Sequence, residues 1–293
     1  MSDEITIQQK PERDRARARS PNAPEKIVAP DDADGFWEFC VQQTRIIGAL
    51  IVREIYTRFG RDNIGFAWLV VEPIMFCTAI ILLWTQAVGH SSHLEISLVI
   101  FLLTGYMPLL MYRHCMMYTI RCMQANADLL YHRQITIFSM YFARLTVEIV
   151  GTFAAFTITC FFFFIWDIIP APHDIGMVVG GFLLYAYISA SIAILIGALS
   201  ERSEVVHKIW GPISYIQVPL SGTFFMVYWL PSEARELIVY VPMVTAVEII
   251  RGGYFGPSIP VYYYLPSALY FATATMVLGL YFLKDARAYV EIG

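Results

Sequence analysis

The stretch Gly176-Met-Val-Val-Gly-Gly-Phe-Leu-Leu-Tyr-Ala-Tyr-Ile-Ser-Ala-Ser-Ile-Ala-Ile-Leu-Ile-Gly-Ala-Leu199 carries no charged side chain. About 20 mostly apolar residues in a helix cross the hydrocarbon core of a bilayer, so this stretch reads as a membrane span. Working outward from it, five more runs have the same character: 66–88, about 96–112 continuing to 120, a run within 135–166, about 209–230, and 262–283. The fold class that follows is all-α integral membrane, with six transmembrane helices. A β-barrel would show short alternating strands, and runs this long do not alternate. Only 15% of the 293 residues are charged and 57% are hydrophobic, whereas soluble domains carry about 25% charged residues. A soluble enzyme, a disulfide-stapled secreted domain and a nucleic-acid binder are excluded.

One apolar run breaks the pattern. Residues 237–250 are interrupted by Pro242 and contain Glu248. The run is too short to span and reads as a re-entrant or interfacial hairpin. Residues 1–35 are rich in Pro, Arg and Asp and read as a disordered cytoplasmic tail. Residues 36–60 read as an interfacial helix, with Ile46, Ile47, Leu50, Ile51 and Ile55 among Arg45, Arg53 and Arg58. Residues 61–293 form the six-span domain. The region through residue 65 holds ten Lys or Arg, and the loops near 113–133 and 200–208 and the C-terminal tail hold more. The loops near His90 and His173 hold none. The positive-inside rule therefore puts both termini in the cytoplasm. No leader peptide is expected, because the first 35 residues lack an apolar core.

Few residues offer chemistry. The four lysines, Lys10, Lys26, Lys208 and Lys284, sit in no phosphate-cradling glycine loop, so nucleotide hydrolysis is not expected of this chain. The five cysteines are scattered and form no CxxC pair. They read as small buried residues. His90, His93 and Glu95 share a short outer loop and read as polar loop residues, so no metal site is expected. Ionisable residues inside spans are costly and are functional candidates by default. These are Glu72, Arg113, Arg144 and Glu148. Arg144 and Glu148 are spaced i,i+4, and mutual neutralisation is the simpler reading of that pair. Too few carboxylates lie at mid-membrane for a proton-coupled carrier, and no inverted repeat is visible. Tyr228, Trp229, Tyr240, Tyr254, Phe255, Tyr262, Tyr263 and Tyr264 crowd the outer boundary. They read either as an interfacial belt or as a stacking surface for sugar rings. On the second reading Tyr254, Tyr262, Tyr263 and Tyr264, with Glu248 and Arg251, line a substrate path. On a helix, three consecutive tyrosines would fan across more than half of its circumference, so at most two of Tyr262–Tyr264 would face that path.

Two stretches carry a resemblance: Arg53-Glu-Ile-Tyr-Thr-Arg58-Phe-Gly60-Arg61, and Gly65-Phe-Ala-Trp68-Leu-Val-Val-Glu72-Pro73. Together they resemble the start of type 2 ABC transporter permeases of the capsular polysaccharide and O-antigen export branch. Thr104-Gly105-Tyr106-Met107-Pro108, Arg144 to Glu148, and Tyr240-Val-Pro242 through Glu248 and Arg251 to Phe255 resemble it as well. The likeness covers about residues 40–285. One departure is Val241-Pro242 followed by Ala246, where relatives often carry Asn-Pro and then a His.

The resemblance implies a cytoplasmic interfacial helix, six spans and two short outer gate helices between spans five and six. It implies a second copy of the chain and two separate ATPase subunits, which bind the ATP and Mg²⁺; this chain itself binds no cofactor. Coupling to those subunits would run through Arg53 and Arg58 and through a loop at about 121–133, with Arg121 and Arg133. The cargo implied is a lipid-linked capsular polysaccharide, handed to periplasmic and outer-membrane export partners, and the chain sits in a bacterial inner membrane. An O-antigen or teichoic-acid-like polymer is the alternative cargo. An integral-membrane acyl- or glycosyltransferase is the alternative class, disfavoured by the lack of an acidic cluster beside His90, His93 or His173.

Overall fold

In the computed structural model the described residues are 33–59, 97–126, 129 and 135–284, with a discontinuous set between 68 and 83. The chain divides into two compact units at Gln42/Gln43, and the account below concerns the second. Every regular element among the described residues is helical. The helices are α1 (Ala33–Phe59), α2 (Leu98–Thr119), α3 (Ile137–Ile165), α4 (Ile175–Arg202), α5 (Glu204–Leu220), α6 (Ser232–Ile238), α7 (Pro242–Phe255) and α8 (Leu265–Lys284).

Four of the expected spans fall on α2, α3, α4 and α8, each long and apolar enough to cross a membrane. The described residues between 68 and 83 are helical; most of the expected first span lies outside the described residues. Capping side chains define two helix starts. Thr136 accepts a hydrogen bond from the Ser139 amide at 3.1 Å, and Asp174 accepts one from the Met177 amide at 3.0 Å.

α2 is the most enclosed span, 78% buried over its apolar window, whereas α3 is 33% and α8 17% buried. The open faces of α3 and α8 carry Phe161, Phe162, Tyr270 and Val277, as lipid-facing surfaces do. α4 packs against α2, α7 and α8. Its small residues make this possible: a Cβ on Gly181 would stand 2.8 Å from the Ile250 amide nitrogen of α7. On α8, a Cβ on Gly279 would stand 2.9 Å from the Leu195 nitrogen of α4. Small residues at such crossings let backbones touch where lipid supplies no hydrophobic drive.

The expected span at 209–230 is not one helix. α5 stops at Leu220, after 17 residues that include Pro212 and Pro219. The chain then turns through Gly222, whose φ of +78° is a left-handed conformation that glycine adopts without strain. Two apolar residues within 223–230 are there for a different reason. Met226 and Val227 are fully buried against protein, so their hydropathy reports a core contact and not a bilayer contact. Beyond them, α6 and α7 meet at a bend of 104°, with Pro242 at the first turn of α7, where its missing N–H costs nothing.

Candidate functional site

Arg251 on α7 is the largest fully buried side chain among the described residues. Its Nη1 donates to the carbonyls of Gly222 at 2.8 Å and Phe225 at 2.6 Å, and its Nη2 donates to the Thr223 carbonyl at 2.9 Å. The guanidinium lies over the Phe101 ring of α2, 4.4 Å from its centroid. Glu248, one turn earlier, stands 3.7 Å from Nη1. Its carboxylate accepts from the Val227 amide at 3.2 Å and the Tyr262 amide at 3.3 Å. A buried charge is tolerated only when paired and hydrogen-bonded, and this pair meets that condition. Glu248 and Arg251 thus stitch three segments together: the turn after α5, the start of the 3₁₀ turn at 227–229, and the strap before α8. Both side chains are enclosed, so neither presents a charge to an open path.

Tyr254 is buried too, its hydroxyl donating to the Pro170 carbonyl at 2.9 Å. Tyr262, Tyr263 and Tyr264 differ from it. They precede α8 in an irregular strap, not on a helix, so the helical fan expected for them does not form. All three are exposed, by 38%, 44% and 46%. The Arg235 guanidinium covers the Tyr262 ring at 4.5 Å, and Tyr264 meets Tyr240 edge-on at 5.4 Å.

At the other end of α2 lies a cavity of about 770 Å³. Glu72, Arg113, His114, Glu148 and His207 line it with ionisable groups, and Trp68, Tyr118 and Trp210 line it with rings. It therefore gathers three of the four intramembrane ionisable residues. His114 Nδ1 stands 3.4 Å from the Glu148 carboxylate. The expected i,i+4 pairing of Arg144 with Glu148 is replaced by tertiary partners. Arg144 points away from the cavity, with Nε 3.5 Å from Glu54 of α1 and Nη1 donating to the Tyr118 carbonyl at 2.8 Å.

The loop after α2 is clamped to the end of α4. The Arg121 amide donates to Ser200 Oγ at 3.2 Å, and the Met123 amide donates to Glu201 at 2.7 Å. Arg121 itself adopts φ +53°, and its guanidinium reaches Glu204 at the start of α5, 3.6 Å away. Beside it, burial pushes the Cys122 thiol up to about 12, against the lowering effect of Arg144. It is therefore no nucleophile. Arg53 is exposed on α1. Arg133 lies outside the described residues, as does the side chain of Arg58. Among the described residues no three His, Cys, Asp or Glu side chains converge to hold a metal ion; His90, His93 and Glu95 lie outside them.

The geometry that sequence reasoning missed is Arg251 on three carbonyls and Glu54 as the partner of Arg144. Arg144 and Arg251 stood out as charges in apolar runs, whereas Glu54, beside Arg53 and four residues before Arg58, did not.

Fold and site define a polytopic helical membrane protein, with a buried arginine-pinned hairpin at one end and a charged, aromatic cavity towards the other. No family model matches the chain. BexB, the capsule polysaccharide export inner-membrane protein of Haemophilus influenzae, is 33% identical over 260 residues, covering 89% of this chain and 98% of that one. CtrC, of the same description, from Neisseria meningitidis serogroup A, is 37% identical over 227 residues, covering 78% of this chain and 85% of that one. The polysialic acid transport protein KpsM of Escherichia coli is 23% identical over 248 residues, 80% of this chain and 90% of its own length. The chain belongs to the family of capsule polysaccharide export inner-membrane proteins.

Proposed function

We propose that this chain is the permease subunit of an ATP-driven exporter that moves lipid-linked capsular polysaccharide across the bacterial inner membrane. The observation that carries the reading is the likeness to BexB over 98% of that protein's length. The chain itself makes and breaks no covalent bond. It carries no phosphate-cradling glycine motif, so ATP and Mg²⁺ belong to two separate ATPase subunits, and a second copy of the permease completes the channel.

In this reading the segment at 66–88, α2, α3, α4, α5 and α8 are the six spans. The 17 residues of α5 reach the lower end of the length that crosses a bilayer. α6 and α7 are the short outer gate helices. Both termini lie in the cytoplasm, residues 1–35 form a tail, and α1 lies along the inner face. The loop at 121–133, with Arg121 and Arg133, docks on the ATPase together with Arg53 and Arg58 of α1. At the exit a polymer must slide, so its contacts there must be weak, repeated and tolerant of register. Exposed rings at Tyr262, Tyr263 and Tyr264 meet that need better than the enclosed Glu248, Arg251 and Tyr254, which hold the gate hairpin in place. Polymer leaving there passes to periplasmic and outer-membrane partners.

Co-expression with a candidate ATPase subunit from the same genome tests the assembly. A complex of two permeases and two ATPases that hydrolyses ATP supports the reading, and a permease that purifies without any ATPase under the same mild extraction contradicts it.

A further inference from the structure

The cavity at the inner half of α2 has a composition that selects its ligand. Its volume of about 770 Å³ falls in the range of small-molecule pockets, roughly 300–1,000 Å³. A lipid tail would not choose a wall carrying Glu72, Arg113, His114, Glu148 and His207. A bare phosphate would meet one permanent cation, Arg113, against two carboxylates. A sugar ring suits this mixed wall. Its hydroxyls both donate and accept, so carboxylates, a guanidinium and imidazoles can all serve it. Its apolar face stacks on an indole, and Trp68 and Trp210 supply two. Glu148 is 5% exposed and stands 3.4 Å from His114 Nδ1, so its carboxylate is confined within the cavity wall. A hydrogen bond to a charged group is worth roughly twice one between neutral groups.

We propose that this cavity is a saccharide-binding site, which holds sugar units of the polymer as they enter the permease. Glu148 and Glu72 accept hydroxyl hydrogen bonds, Arg113 donates, and Trp210 stacks on the ring. The inference rests on the export reading and adds to it a named inner site, distinct from the tyrosine strap at the other end of α2.

The test uses the full-length permease in lipid nanodiscs. The probes are hexasaccharides cut from the producing strain's own capsule, with glycerol phosphate as the headgroup-type anion; binding is followed by calorimetry. Glu148→Gln and Trp210→Ala should each weaken hexasaccharide binding about tenfold, and Trp210→Phe should restore most of it. Tyr270→Ala, on a surface 78% exposed, should change nothing. Gly211→Leu guards against a folding defect. Gly211 lines the cavity and nothing lies within 4 Å of the place its Cβ would take, so a leucine there adds bulk at the cavity wall without a clash while favouring the helix. It too should weaken binding about tenfold. Normal hexasaccharide affinity in Glu148→Gln and Gly211→Leu overturns the site, as does glycerol phosphate competing on equal terms. Capsule measured on cells lacking the chain separates the two claims. If the capsule is lost while these variants bind normally, only the site falls. If the capsule persists, the export reading falls with it.

Discussion

Arg144 of α3 and Glu54 of α1 form an ion pair across 3.5 Å, with the two side chains 15% and 13% exposed. It ties the N-terminal helix to a span. Removing one partner of a largely buried pair strands the other charge and costs about 3 kcal/mol or more. Arg144→Glu should therefore destabilise the purified permease clearly, and adding Glu54→Arg should recover a coupling energy of about 0.5–3 kcal/mol. Thermal unfolding of the wild type, both single variants and the double variant checks it; additive losses would show that the two residues do not interact.

Arg121 meets Glu204 at 3.6 Å, which joins the loop after α2 to the first turn of α5. Exposed pairs contribute little stability, so the expected effect is on transmission. Reversing Arg121 and Arg133 to Glu should abolish substrate-linked ATP hydrolysis while the permease still inserts and dimerises. Adding Glu204→Arg to the Arg121→Glu single variant should return part of the coupling. ATPase rates with and without polymer read this out, and unchanged stimulation in the double reversal would rule out the docking role.

Arg251 reaches three carbonyls of the turn after α5. A lysine has one nitrogen where arginine has a planar fork, so Arg251→Lys keeps the charge beside Glu248 but leaves buried carbonyls unpaired, which should loosen the α6–α7 hairpin and cost roughly 1–3 kcal/mol. Gly105 tests the same contact from α2. A Cβ there would stand 2.6 Å from the Thr223 carbonyl and 2.9 Å from Arg251 Nη2. Gly105→Ala should cost about 1–3 kcal/mol through overpacking. Limited proteolysis between residues 231 and 241 is the readout, with faster cleavage expected in both variants.

The tyrosine strap makes a finer prediction. Tyr262 and Tyr264 are engaged by Arg235 and Tyr240, and Tyr263 stands between them, 44% exposed. Tyr263→Ala should slow polymer export several-fold, whereas Tyr263→Phe should leave it near normal. Normal export in the alanine variant would assign this ring to the membrane boundary alone.

Much of the fold was legible because a bilayer imposes its length on the chain: α2, α3, α4 and α8 follow long apolar runs with few charges. The break at Pro242 announced a bent element for the same reason. Hydropathy ran too far in the segment at 209–230: α5 ends at Leu220, and beyond it Met226 and Val227 are apolar for burial in protein. The charged residues were visible as candidates, but their partners were not. A local i,i+4 rule pairs Arg144 with Glu148, whereas packing brings Glu54 to the one and His114 to the other. The three carbonyls around Arg251 belong to backbone, which no residue type announces. Residues such as Arg133, His90 and His93 lie outside the described structure, and their expected roles stand on sequence alone.

Surface and intracellular polysaccharide, measured in a strain lacking this chain and in the same strain carrying it again, tests the export reading most directly. The expected result is loss of surface polymer with accumulation inside the cell, reversed when the chain is restored. Normal surface polymer in the deletion strain, with none retained inside, would contradict it.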